Sequence, residues 1–349
     1  MISVGILGAG GIAALSHLPE VAEVEGIRVT HICGRRERRL RLLCERFAVP
    51  RFSTNWEDLL DDDELDAVIV ALPHPLHAEA GIAVLERGLH LFMQKPLCTT
   101  IDEANQLVTA SEARPEQVVY CRPSFDAAVY EMRRQLAAGA IGSVSGAHAR
   151  HSHGGPEIYY AEVADAFEEP RVEHDLWFFD ADRSGGGALI DMGVYSIANL
   201  VALLGKVEYV TARMTTVSKP TKLDDTATLI LEFATGALAT AETSWCDPAR
   251  SSFLRVHGTA GKLVLRGDMI DCIRPSSYDR EWAAPIVDEI HPAPVVNQHE
   301  KWLRCIERGT QPEISNIWTA RHISEIMLAA IRSNEAGARV AILTNPAIH

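Results

Sequence analysis

Residues 4–18 read VGILGAGGIAALSHL, an apolar run that breaks into glycines and resumes with spaced apolar residues. Gly8, Gly10 and Ala13 stand in the spacing G-x-G-x-x-G/A, with Gly11 and Ile12 on the same turn. A strand that turns tightly into a helix needs the first glycine. The second lets backbone approach a pyrophosphate, and a small third residue lets strand and helix close up. The N–H groups at the helix start would then face the phosphates. A tight structural turn without a ligand is the plainer alternative, and the pattern downstream bears on it.

Through residue 121, the β-type runs SVGILG, RVTHICG, DAVIVAL, LHLFM and QVVYC alternate with helical patterns over Ile12–Val21, Glu37–Phe47, Leu76–Arg87 and Ile101–Glu112. That alternation predicts a parallel, doubly wound Rossmann sheet, the setting in which the glycine motif binds a dinucleotide. The pattern then changes. A connecting helix is expected over 125–138, followed by longer alternating runs from Ser143 onward, several joined by hairpin-like turns such as ATGAL and GTAGK. These predict a large, open, mostly antiparallel sheet, interrupted by a helix at Ala188–Leu204 and closed by helices near 295–308 and 316–334. The chain is read as α/β with a dinucleotide-binding domain over 1–122 and a substrate-binding and oligomerisation domain over 123–349.

A formal net charge of -14 works against broad affinity for nucleic acid or an anionic membrane. The seven cysteines are odd in number and form no C-x-x-C, which argues against a disulfide framework or a zinc knuckle and for a reducing cytoplasm. The N-terminus lacks the pattern of a secretory signal, and no apolar run reaches the ~18 residues that span a bilayer. The expected partner is a small molecule.

The second strand should end in an acidic residue that bonds the adenosine ribose of NAD. This chain has CGRRERR at 33–39 instead. Gly34 leaves room, and Arg35 and Arg36 offer guanidinium forks suited to a 2'-phosphate, so NADP is expected as the preferred cofactor with NAD possible. A solvated helix face is the alternative for these arginines.

The segments GILGAGGIA, DAVIVALPHPLHAEAGIAVLERGLHLFMQKP and GGGALIDMGVYSIANLVALLG together resemble the glucose-fructose oxidoreductase and inositol dehydrogenase family of nicotinamide-dependent sugar and polyol oxidoreductases. The resemblance implies a nicotinamide held between the two domains and homo-oligomers, dimers or tetramers, formed through the C-terminal sheet. Lys95 falls on the lysine of the family's Glu-Lys-Pro triplet, which reaches the reacting hydroxyl. Gln94 replaces the glutamate, and an amide that cannot stabilise the ammonium leads us to expect a lowered lysine pKa. Asp191 and Tyr195 match an Asp-x-x-x-His pattern with tyrosine in the histidine's place. A neutral phenol can donate a proton or, beside a lysine cation, give one up. The residues alone would equally allow Asp191 as a helix-start acid and Tyr195 as a core aromatic.

By the same resemblance, Leu72, Pro73 and His77 lie beside the nicotinamide. His151 and His153 share one strand face and are read as contacts to substrate hydroxyls or as a solvated strand end, and no third residue at convincing spacing makes them a metal site. Trp177 either stacks on a sugar ring or fills the core. Arg122 either faces the nicotinamide or caps the seam between domains. The activity implied is hydride transfer between nicotinamide and a secondary alcohol or carbonyl of a sugar, sugar derivative or polyol. Its rivals are redox-neutral glycoside cleavage by tightly bound NAD, which Gln94 keeps open, and a non-catalytic nucleotide sensor, against which the joint presence of Lys95, Asp191 and Tyr195 argues.

Overall fold

The computed structural model describes residues 1–171, 176–277 and 284–348. Six parallel strands form the first sheet: β1 (Ile2–Leu7), β2 (Ile27–Cys33), β3 (Arg51–Ser53), β4 (Ala67–Val70), β5 (His90–Met93) and β6 (Val119–Cys121), in the order β3-β2-β1-β4-β5-β6. The order reverses between β1 and β4, which opens a crevice at the carboxyl ends of these strands, where open α/β sheets bind ligands. Residues 67–70 are completely buried, because helices cover both faces of the sheet.

The helices here are α1 (Leu18–Ala22), α2 (Glu37–Phe47), α3 (Trp56–Leu60), α4 (His77–Glu86) and α5 (Ile101–Glu112). The helix expected over Ile12–Val21 instead begins as a wider π-type turn at Ala13–His17 and passes into the short α1. Sequence periodicity missed β3 and α3, each too short to show a repeat. Thr100 and Glu103 form a reciprocal capping box that starts α5 directly after the lysine segment.

Helix α6 (Ala127–Ala137) leads into β7 (Val144–Ser152), and α7 (Pro156–Ala166) and α8 (Ala181–Ser184) follow. Then come α9 (Val194–Leu204), β8 (Val207–Thr215), β9 (Thr226–Phe233), β10 (Leu238–Ser244), β11 (Ser251–Gly258), β12 (Gly261–Arg266), β13 (Met269–Arg274) and β14 (Ile286–Ile290). The chain closes with α10 (Gln298–Arg308), α11 (Ile317–Ala336) and β15 (Val340–Ala341). The second sheet has nine strands in the order β14-β13-β12-β11-β7-β10-β9-β8-β15. Its pairings are antiparallel except β7 with β10, which run parallel. One face carries small and branched residues such as Ala147, Ala149, Leu229 and Ala241 onto α9 and α11. The opposite face presents Ile230 and Leu238 as exposed side chains.

Candidate active site

A cleft of about 890 Å³ runs between the two sheets, from the glycine turn to the C-terminal end of β7. Gly8 turns the chain at φ +97°, and a Cβ there would lie 2.3 Å from the Ala71 carbonyl oxygen, so only glycine fits. A Cβ on Gly10 would meet nothing closer than 4.0 Å, so that backbone is left open to the cleft. Gly8 N and Ala9 N donate to Cys33 O, Gly10 N to Gly8 O and Ala14 N to Gly10 O, which leaves the Gly11 and Ile12 amides without a backbone acceptor among the described residues. Turn, open backbone and cleft volume together fit a dinucleotide pyrophosphate.

Of the residues singled out from sequence, Gly8, Gly10, Gly11, Ile12, Gly34, Arg35, Arg36, Leu72, Pro73, His77, Gln94, Lys95, His151, His153, Trp177, Asp191 and Tyr195 all line this cleft. Arg122 does not. Its guanidinium reaches Ser16 Oγ at 3.4 Å and lies near enough to Lys95 and His17 for its charge to act on both.

Lys95 leaves the end of β5 with its Nζ 2.7 Å from Asp191 Oδ1 and 2.5 Å from the Asp191 carbonyl oxygen. Trp245 Nε1 donates to the other carboxylate oxygen at 3.0 Å. Burial works against the Lys95 ammonium, but the Asp191 carboxylate outweighs it and the net shift is upward. Burial works against the Asp191 carboxylate too, and Lys95 again reverses the sign, holding it below the usual range. The expectation that Gln94 leaves Lys95 with a lowered pKa is therefore wrong. The stabilising carboxylate comes from the second half of the chain rather than from the neighbouring residue.

Asp191 sits in a π-type turn, Leu189–Gly193, and Tyr195 in the first turn of α9. Lys95 Nζ lies 5.2 Å from the centre of the Tyr195 ring, and His151 packs on that ring at 4.6 Å between centroids. Burial, then the Lys95 charge, press the His151 imidazolium down to about 4, which keeps the ring neutral near pH 7. The His153 imidazolium is also lowered, by burial first, and its Nδ1 accepts from Gly155 N at 2.8 Å. Trp177 packs against His74, 5.0 Å between ring centroids.

Gln94 is buried, and its Oε1 accepts from Lys95 N at 2.8 Å. Its Nε2 faces His17 Nε2 at 3.4 Å, His17 Nδ1 meets His299 Nε2 at 2.9 Å, and His299 Nδ1 lies 3.1 Å from Glu20. Burial lowers both imidazolium pKa values, with each ring's neutral form favoured. One proton order fits the first two links, amide to His17 and His17 to His299, while His299 Nδ1 faces the Glu20 carboxylate at 3.1 Å without hydrogen-bond geometry. His77 spans the Leu72 and Pro96 carbonyl oxygens at 2.7 Å each, tying the turn after β4 to the lysine segment.

Sequence reasoning missed His74, Tyr159, Tyr160, Val163 and Glu169 of the cleft lining, and Trp245 behind it. A Cβ on Gly11 would meet the Tyr159 hydroxyl at 2.5 Å and Val163 at 2.4 Å, so α7 packs directly over the glycine turn. Arg36, Arg38 and Arg39, for which a solvated face was the alternative reading, all pair with Glu169.

Comparison with known proteins bears on this geometry. Residues 2–121 match a model described as an oxidoreductase family with an NAD-binding Rossmann fold, and residues 129–264 match the GFO/IDH/MocA C-terminal domain. D-xylose 1-dehydrogenase (NADP(+)) 2 of Haloferax volcanii is 29% identical over 259 residues, 74% of this chain and 74% of that protein. D-apiose dehydrogenase of Paraburkholderia graminis is 23% identical over 331 residues, 89% of this chain and 82% of that one. A solved levoglucosan dehydrogenase in complex with NADH and L-sorbose superposes with a TM-score of 0.79 at 20% identity, covering 99% of each chain.

Proposed function

The chain belongs to the GFO/IDH/MocA oxidoreductase family, and from that premise we propose that it moves a hydride between NAD(P) and a secondary alcohol or carbonyl of a sugar, sugar derivative or polyol. The convergence of Lys95, Asp191 and Tyr195, from opposite halves of the chain, on the cleft that holds the glycine turn is the observation that carries this reading. The names of the relatives, xylose, apiose and levoglucosan dehydrogenases among them, support the substrate class.

A bound nicotinamide supplies the hydride acceptor or donor. The protein's own contribution is placement and proton handling. Gly8, Gly10, Gly11 and Ile12 would hold the pyrophosphate, Gly34, Arg35 and Arg36 the adenosine ribose, and Leu72, Pro73 and His77 the nicotinamide side. Lys95, kept charged by Asp191, is a donor aimed into the cleft and suits an oxygen that becomes negative as its proton leaves. Tyr195, beside that cation, would take or return the proton, with neutral His151 against its ring. His153 and Trp177 would contact the sugar. The arginines after β2 favour NADP over NAD in this reading.

The chain is further proposed to divide near residue 122, to act in the cytoplasm, where its seven cysteines remain free thiols, and to form homo-oligomers through the face of the nine-stranded sheet that presents Ile230 and Leu238. Among the described residues no helix is long and apolar enough to cross a membrane. Mass spectrometry of cofactor released by denaturation, followed by a sugar and polyol panel monitored through reduced-nicotinamide absorbance, tests the proposal. Net cofactor reduction with a free sugar is the expected result. Cleavage of a glycoside without net cofactor change, or cofactor binding with no turnover of any sugar, would overturn it.

A further inference from the structure

We propose that Glu169, from the second half of the chain, is a carboxylate that tempers the preference of the arginines after β2 for NADP, accepting the ribose hydroxyls of NAD and disfavouring a 2'-phosphate by holding Arg36 and Arg39. The inference rests on reading the cleft as the dinucleotide site. Strand β2 ends at Cys33 and is followed by Gly34, Arg35 and Arg36, with no acidic group where a ribose hydroxyl needs an acceptor. Glu169 brings one to that place from 130 positions beyond Arg39. It lines the same cleft as Gly10, Gly34, Arg35 and Arg36.

Its position is fixed rather than incidental. Phe167, two residues earlier, is completely buried in the core of the first sheet, and the Arg39 guanidinium lies over its ring, 4.3 Å from the centroid. Glu168 takes a left-handed φ of 53°, which turns the chain back toward α2. Arg38 donates to the Phe167 carbonyl at 3.2 Å and the Glu168 carbonyl at 3.4 Å. Arg39 grips the Glu169 carboxylate with two nitrogens, Nε at 2.9 Å and one terminal nitrogen, while Arg36 and Arg38 each approach to 3.4 Å. Hydrogen bonding from Arg39 outweighs burial and holds this carboxyl below its usual range, so it is an anion at any working pH.

Among the described residues Arg35 has no ion pair and is exposed, so a 2'-phosphate finds one fork available, two already engaged, and a carboxylate beside them. A hydroxyl meets no such conflict. It donates where the phosphate would repel.

The test is calorimetric titration of the whole protein with NAD, NADP, 5'-ADP and 2',5'-ADP, in wild type, Glu169→Gln and Glu169→Ala. Glutamine keeps the shape and removes the charge. Both variants should raise the preference for NADP over NAD, and for 2',5'-ADP over 5'-ADP, by about 10-fold or more, the worth of one charge-assisted contact. A preference that stays within about 3-fold of wild type in both variants overturns the proposal. Arg36→Ala, at an exposed side chain, separates the two levels of the reading. If it weakens NADP selectively while the Glu169 variants change nothing, only the role of Glu169 fails. If it weakens NAD and NADP equally, the assignment of these arginines to the 2'-phosphate falls and the role of Glu169 with it.

Discussion

Replacing Asp191 with Asn tests the centre of the site, because it removes one charge and almost no volume. At 2.7 Å the Lys95–Asp191 attraction is about 6 kcal/mol at an effective dielectric of ~20, before the cost of taking both ions out of water. Removing one partner of such a buried pair leaves the other uncompensated, for a net loss of about 3–5 kcal/mol. Asn adds a second difficulty, since its single carbonyl oxygen cannot serve both Lys95 and Trp245 as the two carboxylate oxygens do. The pH dependence has a definite sign. In the wild type the Lys95 pKa is raised, so its contribution is full below the unfolded value of ~10.4 and is lost as pH climbs through the folded value. The Asp191 pKa is lowered, so its contribution is present above ~3.9 and is lost as pH falls through the folded value. In the variant no carboxylate offsets the burial of Lys95, its pKa drops below the unfolded value, and the penalty applies only while the amine must carry a proton. Urea unfolding should therefore show a deficit of about 3–5 kcal/mol near pH 7 that shrinks by about pH 9.5. A deficit under ~1 kcal/mol, or one of equal size at both pH values, refutes the view that this pair is a coupled, buried charge.

The other predictions address the proton and the chain behind the lysine. Lys95→Met keeps most of the stem and should leave dinucleotide affinity near wild type while turnover falls about 100-fold or more, read by titration and steady-state kinetics. Tyr195→Phe should lower turnover by roughly 10²-fold with a smaller change in KM, whereas an unchanged kcat would pass the proton-transfer role to His151. Gln94→Glu puts a carboxylate against the lone pair of His17 Nε2, and should cost about 1–3 kcal/mol, more near pH 8 than near pH 6, because only a proton taken up by the pair restores the contact. Equal cost at both pH values would dissolve the proposed proton order.

The first sheet was legible because its strands are bounded by glycine and helix signals and its glycine turn has one sterically allowed geometry, as Gly8 shows. Lys95, Asp191 and Tyr195 could be named from the resemblance, but their mutual contact could not. Asp191 reaches Lys95 across 96 positions, and no local pattern encodes that distance. Helix α7 escaped the reading for a different reason. PEIYYAEVADA is mixed in polarity all round, since it packs its apolar side on the glycine turn and leaves the other to the cleft rather than facing one core. Arg38 and Arg39 looked like a solvated face because their partner, Glu169, lies 131 and 130 positions away.

The misjudged lysine shows how a local substitution is to be weighed. A carboxylate beside Lys95 in sequence is one way to hold the ammonium, but the Gln94 side chain is engaged with His17 and with Lys95 N. Its task in this chain is to end the polar row that runs from the Glu20 carboxylate through His299 and His17. An anion at position 94 would oppose the proton order of that row, since both histidines between the two ends are buried and favour their neutral forms. The amide closes the chain without adding charge, and Asp191 is the carboxylate that holds the charge of the lysine. Proton handling at Lys95 and hydrogen bonding behind it are thereby separate devices. The separation requires Asp191→Asn to move the pH dependence of lysine chemistry while Gln94→Glu moves that of the histidine chain, each leaving the other's window in place.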